Sequence, residues 1–175
     1  AAALTSLAQS RFDFSAQGLD VIVTFYSSDI VRVTKAPHGA PIMTRSFSVT
    51  MKPQAGVAVT TRQDDHGMTL STSRLNVSYD RTTGAITFRS ADGKTLLRDK
   101  PYGTQFTAIT DGGQPSYSVR QAFLLDPDEI IFGLGQQQTG RFNQRGQRLE
   151  LRNVNMNICI PFVHSENSYT LYLDN

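Results

Sequence analysis

The sequence predicts an all-β domain, a sandwich or barrel, and three observations carry that prediction. Glu and Lys, two strong helix formers, number only 3 and 4, while Thr and Ser together number 33. Thr, Val, Ile, Phe and Tyr fit pleated, half-buried surfaces, and Ser and Thr hydroxyls compete with the helical backbone. Turn residues recur roughly every 8–12 residues between short apolar or alternating runs, the spacing of a sandwich or barrel. No segment of about 10–15 residues keeps a 3.6-residue period, which argues against a βαβ fold.

The expected elements follow in order. AAALTSLAQS carries no charge and little pattern, and residues 1–18 read as a loose lead-in. Strands are expected at Leu19 to Tyr26, Asp29 to Thr34, Arg45 to Thr50, Val57 to Thr61 and Met68 to Ser71. Arg74 to Tyr79 alternates, with Leu75, Val77 and Tyr79 on one face. Ala85 to Arg89 follows after Asp80-Arg81-Thr82-Thr83-Gly84, a spacer that reads as a hairpin loop. Asp92-Gly93 supplies the residues preferred at the positive φ angles of a tight turn. Further strands are expected at Thr104 to Ile109, Tyr117 to Leu125, Glu129 to Phe132, Arg148 to Arg152, Ile158 to Val163 and Tyr169 to Leu173. Gly133 to Gln147, rich in Gly and Gln, interrupts them as a long loop, and such loops are usually functional or mobile.

Composition excludes several classes. The 175 residues are about one domain's worth. A net charge of +2 is too small a bias to argue for nucleic acid or an anionic membrane. No run approaches the roughly 18 apolar residues of a transmembrane helix. Cys159 is alone, so there is no intrachain disulfide and no Cys-based zinc site, and its apolar segment reads as a buried strand. His38, His66 and His164 lie far apart and form no metal-ligand pair. The Ala-rich start, read as a processed terminus, favours a periplasmic or secreted location over the cytoplasm.

The motifs that suggest chemistry fail individually. Gly133-Leu134-Gly135 follows a strand but lacks the third glycine and the helix of a dinucleotide site. Gly135 to Gly140 has P-loop spacing, yet Arg141-Phe142 stand where Lys and Ser or Thr are needed. No nucleophile elbow marks a Ser-His-Asp triad. A glycosidase needs two carboxyl groups about 5–10 Å apart across a sugar, and the clusters Asp64-Asp65 and Asp126-Pro127-Asp128-Glu129 do not supply that. Asn76-Val77-Ser78 is a glycosylation sequon inside an expected strand. The loop from Gly135 to Gln147 concentrates amides, two guanidinium groups and Phe142, which match sugar hydroxyls and a sugar's C–H face.

Several segments in series resemble glycoside hydrolase family 31. They are Ile131-Phe132-Gly133-Leu134-Gly135-Gln136, Asn143-x-Arg145-Gly146, Ile160-Pro161-Phe162-x-x-Ser165 and Tyr169 to Asp174-Asn175. Upstream, Ile30 to Val33 and Leu75 through Leu97, with Thr83-Gly84 and Asp92-Gly93-Lys94 at the hairpins, agree. The resemblance spans roughly residues 19–175. It implies an antiparallel β-sandwich similar to galactose mutarotase, standing before a catalytic (β/α)8 barrel expected after residue 175. The family's members are retaining α-glycosidases, α-glucosidases and α-xylosidases among them. Their nucleophile and acid/base are aspartates on that barrel, so no catalytic residue is expected in this segment.

The resemblance also implies that Gln136, Phe142, Asn143 and Arg145 form a loop at the substrate entrance. The expected partners are a carbohydrate substrate and the chain's own barrel, with no cofactor, no metal, no nucleic acid and no membrane. Gln136 replaces an acidic residue common in the family, Gln136-Gln137-Gln138 is similar to bacterial members, and the usual glycine after Tyr169 is missing. Two alternatives remain at this point: a stand-alone carbohydrate-binding module, and an aldose mutarotase, which needs paired acid and base groups that the sequence does not offer.

Overall fold

The computed structural model describes residues 4–7, as backbone, and 9–174. Thirteen strands make up the fold, with no helix among the described residues. They are β1 Leu4–Leu7, β2 Arg11–Ala16, β3 Leu19–Phe25, β4 Val31–Pro37, β5 Val59–Gln63, β6 Gly67–Ser71, β7 Leu75–Asp80, β8 Ile86–Ser90, β9 Thr95–Asp111, β10 Gln114–Leu124, β11 Ile131–Gln136, β12 Ile158–Ser165 and β13 Tyr169–Tyr172. The chain divides into two compact units, Ala1–Leu124 and Leu125–Asn175.

The first unit is a sandwich of two antiparallel sheets. One has strand order β1-β5-β6-β7-β8-β9-β10 and the other β2-β3-β4. Inward residues alternate along the strands, as the pleat requires. Phe12, Val21, Val23 and Phe25 from the small sheet meet Val59, Leu70, Leu75, Val77, Tyr79 and Ile86 from the large one in a single buried cluster. Phe14 stacks on Tyr79 with ring centroids 4.9 Å apart. Leu75, Val77 and Tyr79 are the alternating face expected from the sequence.

Turn chemistry explains the connections. Asp80 Oδ1 accepts the N–H groups of Thr82 and Thr83 at 2.8 and 2.9 Å, closing the β7–β8 turn that Gly84 completes at φ 68°. Such local carboxylate capping is what places Asp in turns. Gly93, at φ 90°, closes the β8–β9 turn. Gln17 and Gly18, at φ 55° and 72°, form a two-residue turn of the kind that matches strand twist and joins β2 to β3. Gly112-Gly113 does the same between β9 and β10. The outer part of that long hairpin is largely solvated, and its Phe106 and Tyr117 rings meet edge to face at 5.9 Å.

Three expectations need correction. The supposed lead-in carries β1 and β2, and Phe12 of β2 is a core residue; residues 1–3 and 8 lie outside the described residues. Arg45 to Thr50 is not a strand: Ser46 Oγ accepts the N–H groups of Ser48 and Val49 at 3.0 and 2.8 Å, and Phe47 is left 85% exposed. The hydroxyl offers the backbone a local alternative to a ladder. Arg148 to Arg152 alternates but finds no partner strand among the described residues, so its backbone is irregular.

One polar cluster ties the two sheets of the sandwich together. Lys35 Nζ of β4 donates to Asp99 Oδ2 at 2.6 Å, Thr104 Oγ1 at 2.9 Å and Gln121 Oε1 at 3.1 Å. The ammonium therefore has an acceptor for each of its three protons. Asp99 Oδ2 also accepts the Ile86 N–H at 3.2 Å. Burial pushes the Asp99 carboxyl above its ordinary value, against the pull of Lys35. Removing one partner of a buried pair leaves the other charge uncompensated, which costs about 3–5 kcal/mol. Lys35→Ala should therefore lower the unfolding free energy by about that amount in a denaturant titration; a loss below about 1 kcal/mol, the scale of an exposed pair, contradicts the account.

Candidate functional site

The second unit is a three-stranded antiparallel sheet of order β11-β12-β13 with the long loop between β11 and β12. Gly133, Leu134 and Gly135 all have left-handed backbones, at φ 107°, 66° and 89°. Gly133 pairs with Val163 and Gly135 with Cys159, so Ile160-Pro161-Phe162 stand opposite Leu134 alone. Pro161 is tolerated in this central strand because the bulge needs no ladder donor there.

Both glycines are sterically required. A Cβ on Gly133 would sit 2.3 Å from the Phe162 carbonyl oxygen, and one on Gly135 2.0 Å from that of Ile158. The Gly-Leu-Gly run is a device for β12 to approach β11, not a phosphate cradle.

The loop leaves β11 at Gln136, whose side chain is exposed. It returns beside the start of the strand, where Gln144 N–H donates to the Ile131 carbonyl at 2.8 Å. Asn143 Oδ1 accepts the N–H groups of Arg145 and Ile131 at 2.9 and 3.3 Å. Arg145 Nη1 donates to the carbonyls of Asp126 and Glu129 at 2.9 and 3.0 Å. Asn143 and Arg145, expected in the substrate-entrance loop, both hold backbone. Phe142 lies between Arg141 and Asn143, 80% exposed, with its ring 4.8 Å from that of Phe132. Of the four expected residues, Gln136, Phe142 and Asn143 are exposed, and Asn143 spends its Oδ1 on backbone N–H groups.

Glu129 was not expected as a site residue, and it anchors this unit. It is 3% exposed. Its Oε1 accepts from the hydroxyls of Ser165 and Tyr169, the latter at 2.8 Å, and its Oε2 accepts the Asp126 N–H at 2.9 Å. Burial pushes the Glu129 carboxyl up, but these hydrogen bonds outweigh it and leave it below the ordinary glutamate value. Burial, then the bond to Glu129, pushes the Tyr169 phenol well above its ordinary value.

The sheet also has an unusual face. Ile158, Ile160 and Phe162 of β12 are 51%, 50% and 37% exposed, and the Phe162 ring stacks on Tyr172 at 4.8 Å. Cys159, expected to be buried, is half-buried on the opposite side of that strand.

Other acid, base and metal combinations do not assemble. Asp20 accepts from the Ser15 hydroxyl and lies 2.8 Å from His38 Nδ1, with its carboxyl held down to about 2 by Ser15, Gly39 and His38. The carboxylate stands between serine and histidine, so the imidazole is not placed as the hydroxyl's base. Asp64 Oδ1 caps its own turn through the His66 and Gly67 N–H groups. Among the described residues, no three His, Cys, Asp or Glu side chains gather as a metal would require.

This architecture is that of a β-sandwich followed in the chain by a small sheet. Residues 20–175 match the glycosyl hydrolase 31 N-terminal galactose mutarotase-like domain, and the chain belongs to that family. Over 95% of its length it is 28% identical, at a TM-score of 0.86, to part of a family 31 α-xylosidase from Xanthomonas citri, of which it spans 18%. It is similar in fold to a family 31 α-xylosidase from a soil metagenome, solved with xylose (19% identity, TM-score 0.78, 94% of this chain and 27% of that one). A family 31 dextranase from Flavobacterium johnsoniae also shares the fold (21% identity, TM-score 0.70, 100% and 22%).

The close approach of β11 and β12 generates one prediction. Gly135→Ala combines left-handed strain of about 1–3 kcal/mol with overpacking of a further 1–3 or so. The amides of β11 and β12 should lose hydrogen-exchange protection by at least about tenfold; unchanged protection contradicts the steric account.

Proposed function

We propose that the chain is the non-catalytic N-terminal domain of a retaining α-glycosidase acting on α-glucosides or α-xylosides. It packs on the catalytic (β/α)8 barrel and lends the loop after β11 to the substrate entrance. The observation that carries the reading is the loop itself, in a chain of family 31 descent: a bare phenyl ring and a free amide on a backbone pinned by Asn143 and Arg145. In this reading Phe142 packs on the C–H face of the sugar and Gln136 meets a hydroxyl. Asn143 and Arg145 border the entrance by holding the loop. Chemistry belongs to the barrel, where one carboxylate attacks the anomeric carbon while another protonates the leaving oxygen and then activates water.

In the enzyme that carries this chain, Phe142→Ala and Gln136→Ala each remove one contact worth about 0.5–1.5 kcal/mol. Each should lower kcat/KM roughly threefold to tenfold. Unchanged kinetics in the double variant would sink the entrance reading.

The barrel is also the proposed cover for Ile158, Ile160 and Phe162, through an interface of the size usual between domains of one chain, about 600–1,500 Å². The isolated 175-residue chain should therefore self-associate as its concentration rises and bind a hydrophobic dye. Light scattering checks this, and a strictly monomeric chain that ignores the dye overturns the docking role of β12.

A further inference from the structure

We infer that Glu129 is a positioning residue for the loop that carries Phe142, an inference that rests on the entrance reading above and deepens it. The carboxylate is fixed on one side by Ser165 and Tyr169, at the end of β12 and the start of β13. On the other side it holds the Asp126 N–H, which folds the 126–129 turn and sets the direction of two carbonyls. Those carbonyls, of Asp126 and Glu129 itself, receive Arg145 Nη1. Arg145 takes its own N–H to Asn143 Oδ1, and Phe142 is the next residue toward the tip. A continuous chain of hydrogen bonds thus runs from a buried carboxylate to the neighbour of an exposed ring.

The geometry puts a charged acceptor at position 129. Two hydroxyls and one backbone N–H donate to the carboxylate. A Gln amide keeps the shape but loses the charge: its oxygen can still accept the Asp126 N–H, and its N–H₂ can donate to the hydroxyls, which accept as well as donate. The side-chain bond that closes the turn then falls from a charged to a neutral acceptor. The backbone bond from the Glu129 N–H to the Asp126 carbonyl at 3.3 Å remains, and the carbonyls that hold Arg145 are held less firmly. A residue that merely stabilised the sheet would lower the melting temperature without disturbing the loop.

The chain has no Trp, so Phe142→Trp places a single indole at the tip. On that background Glu129→Gln should lower the fluorescence anisotropy of the indole and raise its quenching by acrylamide. Trypsin should cut after Arg141 about fivefold faster, since cleavage tracks the open population and a bond to a charged acceptor becomes one to a neutral acceptor. Unchanged anisotropy, quenching and cleavage in a folded Glu129→Gln protein overturn the inference. If that variant does not fold, Arg145→Ala decides, because it cuts the link to the loop and leaves the carboxylate's own bonds intact; a loop that stays ordered in it is again a refutation. No sugar enters these measurements. A null kinetic result for Phe142 and Gln136 therefore removes the entrance reading without touching the positioning role, and a rigid loop in Glu129→Gln does the reverse.

Discussion

Two carbonyl oxygens of β12 lie so close to β11 that no Cβ fits between the strands. That steric constraint governs the second unit. It demands glycine at 133 and 135, forces three successive left-handed residues, and pushes Ile160-Pro161-Phe162 into a bulge. The bulge sets which side chains of β12 face solvent, and the left-handed run sets where the loop departs. Register in a sheet flips every side chain when it slips by one residue, so a bulge of this kind is a device for aiming.

The sandwich rests on different physics. Its stability comes from a single apolar cluster shared by two sheets, with one buried polar network across it. Apolar burial is non-directional, whereas Lys35 with its three acceptors is directional. The first supplies the driving force and the second fixes how the sheets meet.

Much of the fold was legible in the sequence, and the failures have particular causes. The Asp80 to Gly84 and Asp92-Gly93 turns were readable because Asp and Gly announce positive φ and local capping. The Gln17-Gly18 turn was not, since Gln seldom adopts φ 55°, although the alternation of Phe12 and Phe14 in β2 was there to be seen. Arg45 to Thr50 and Arg148 to Arg152 alternate equally well and are not strands, because alternation reports a face and not a partner. At the site, the loop was legible as a concentration of polar groups, but the division within it was not. Whether Arg145 meets solvent or backbone depends on a turn some 19 residues upstream of it. Glu129 escaped notice because acids are rarely buried, and here the convergence of Ser165, Tyr169 and the Asp126 N–H makes it possible.

The buried pair of Lys35 and Asp99 has a consequence for how this sequence can drift. Losing either partner alone strands a charge, while exchanging both for apolar residues of similar volume is often neutral or stabilising. The two positions are 64 residues apart in the chain yet bound to one fate. A sequence that leaves this arrangement one step at a time passes through a less stable intermediate, even where a dry interior would serve the sandwich as well.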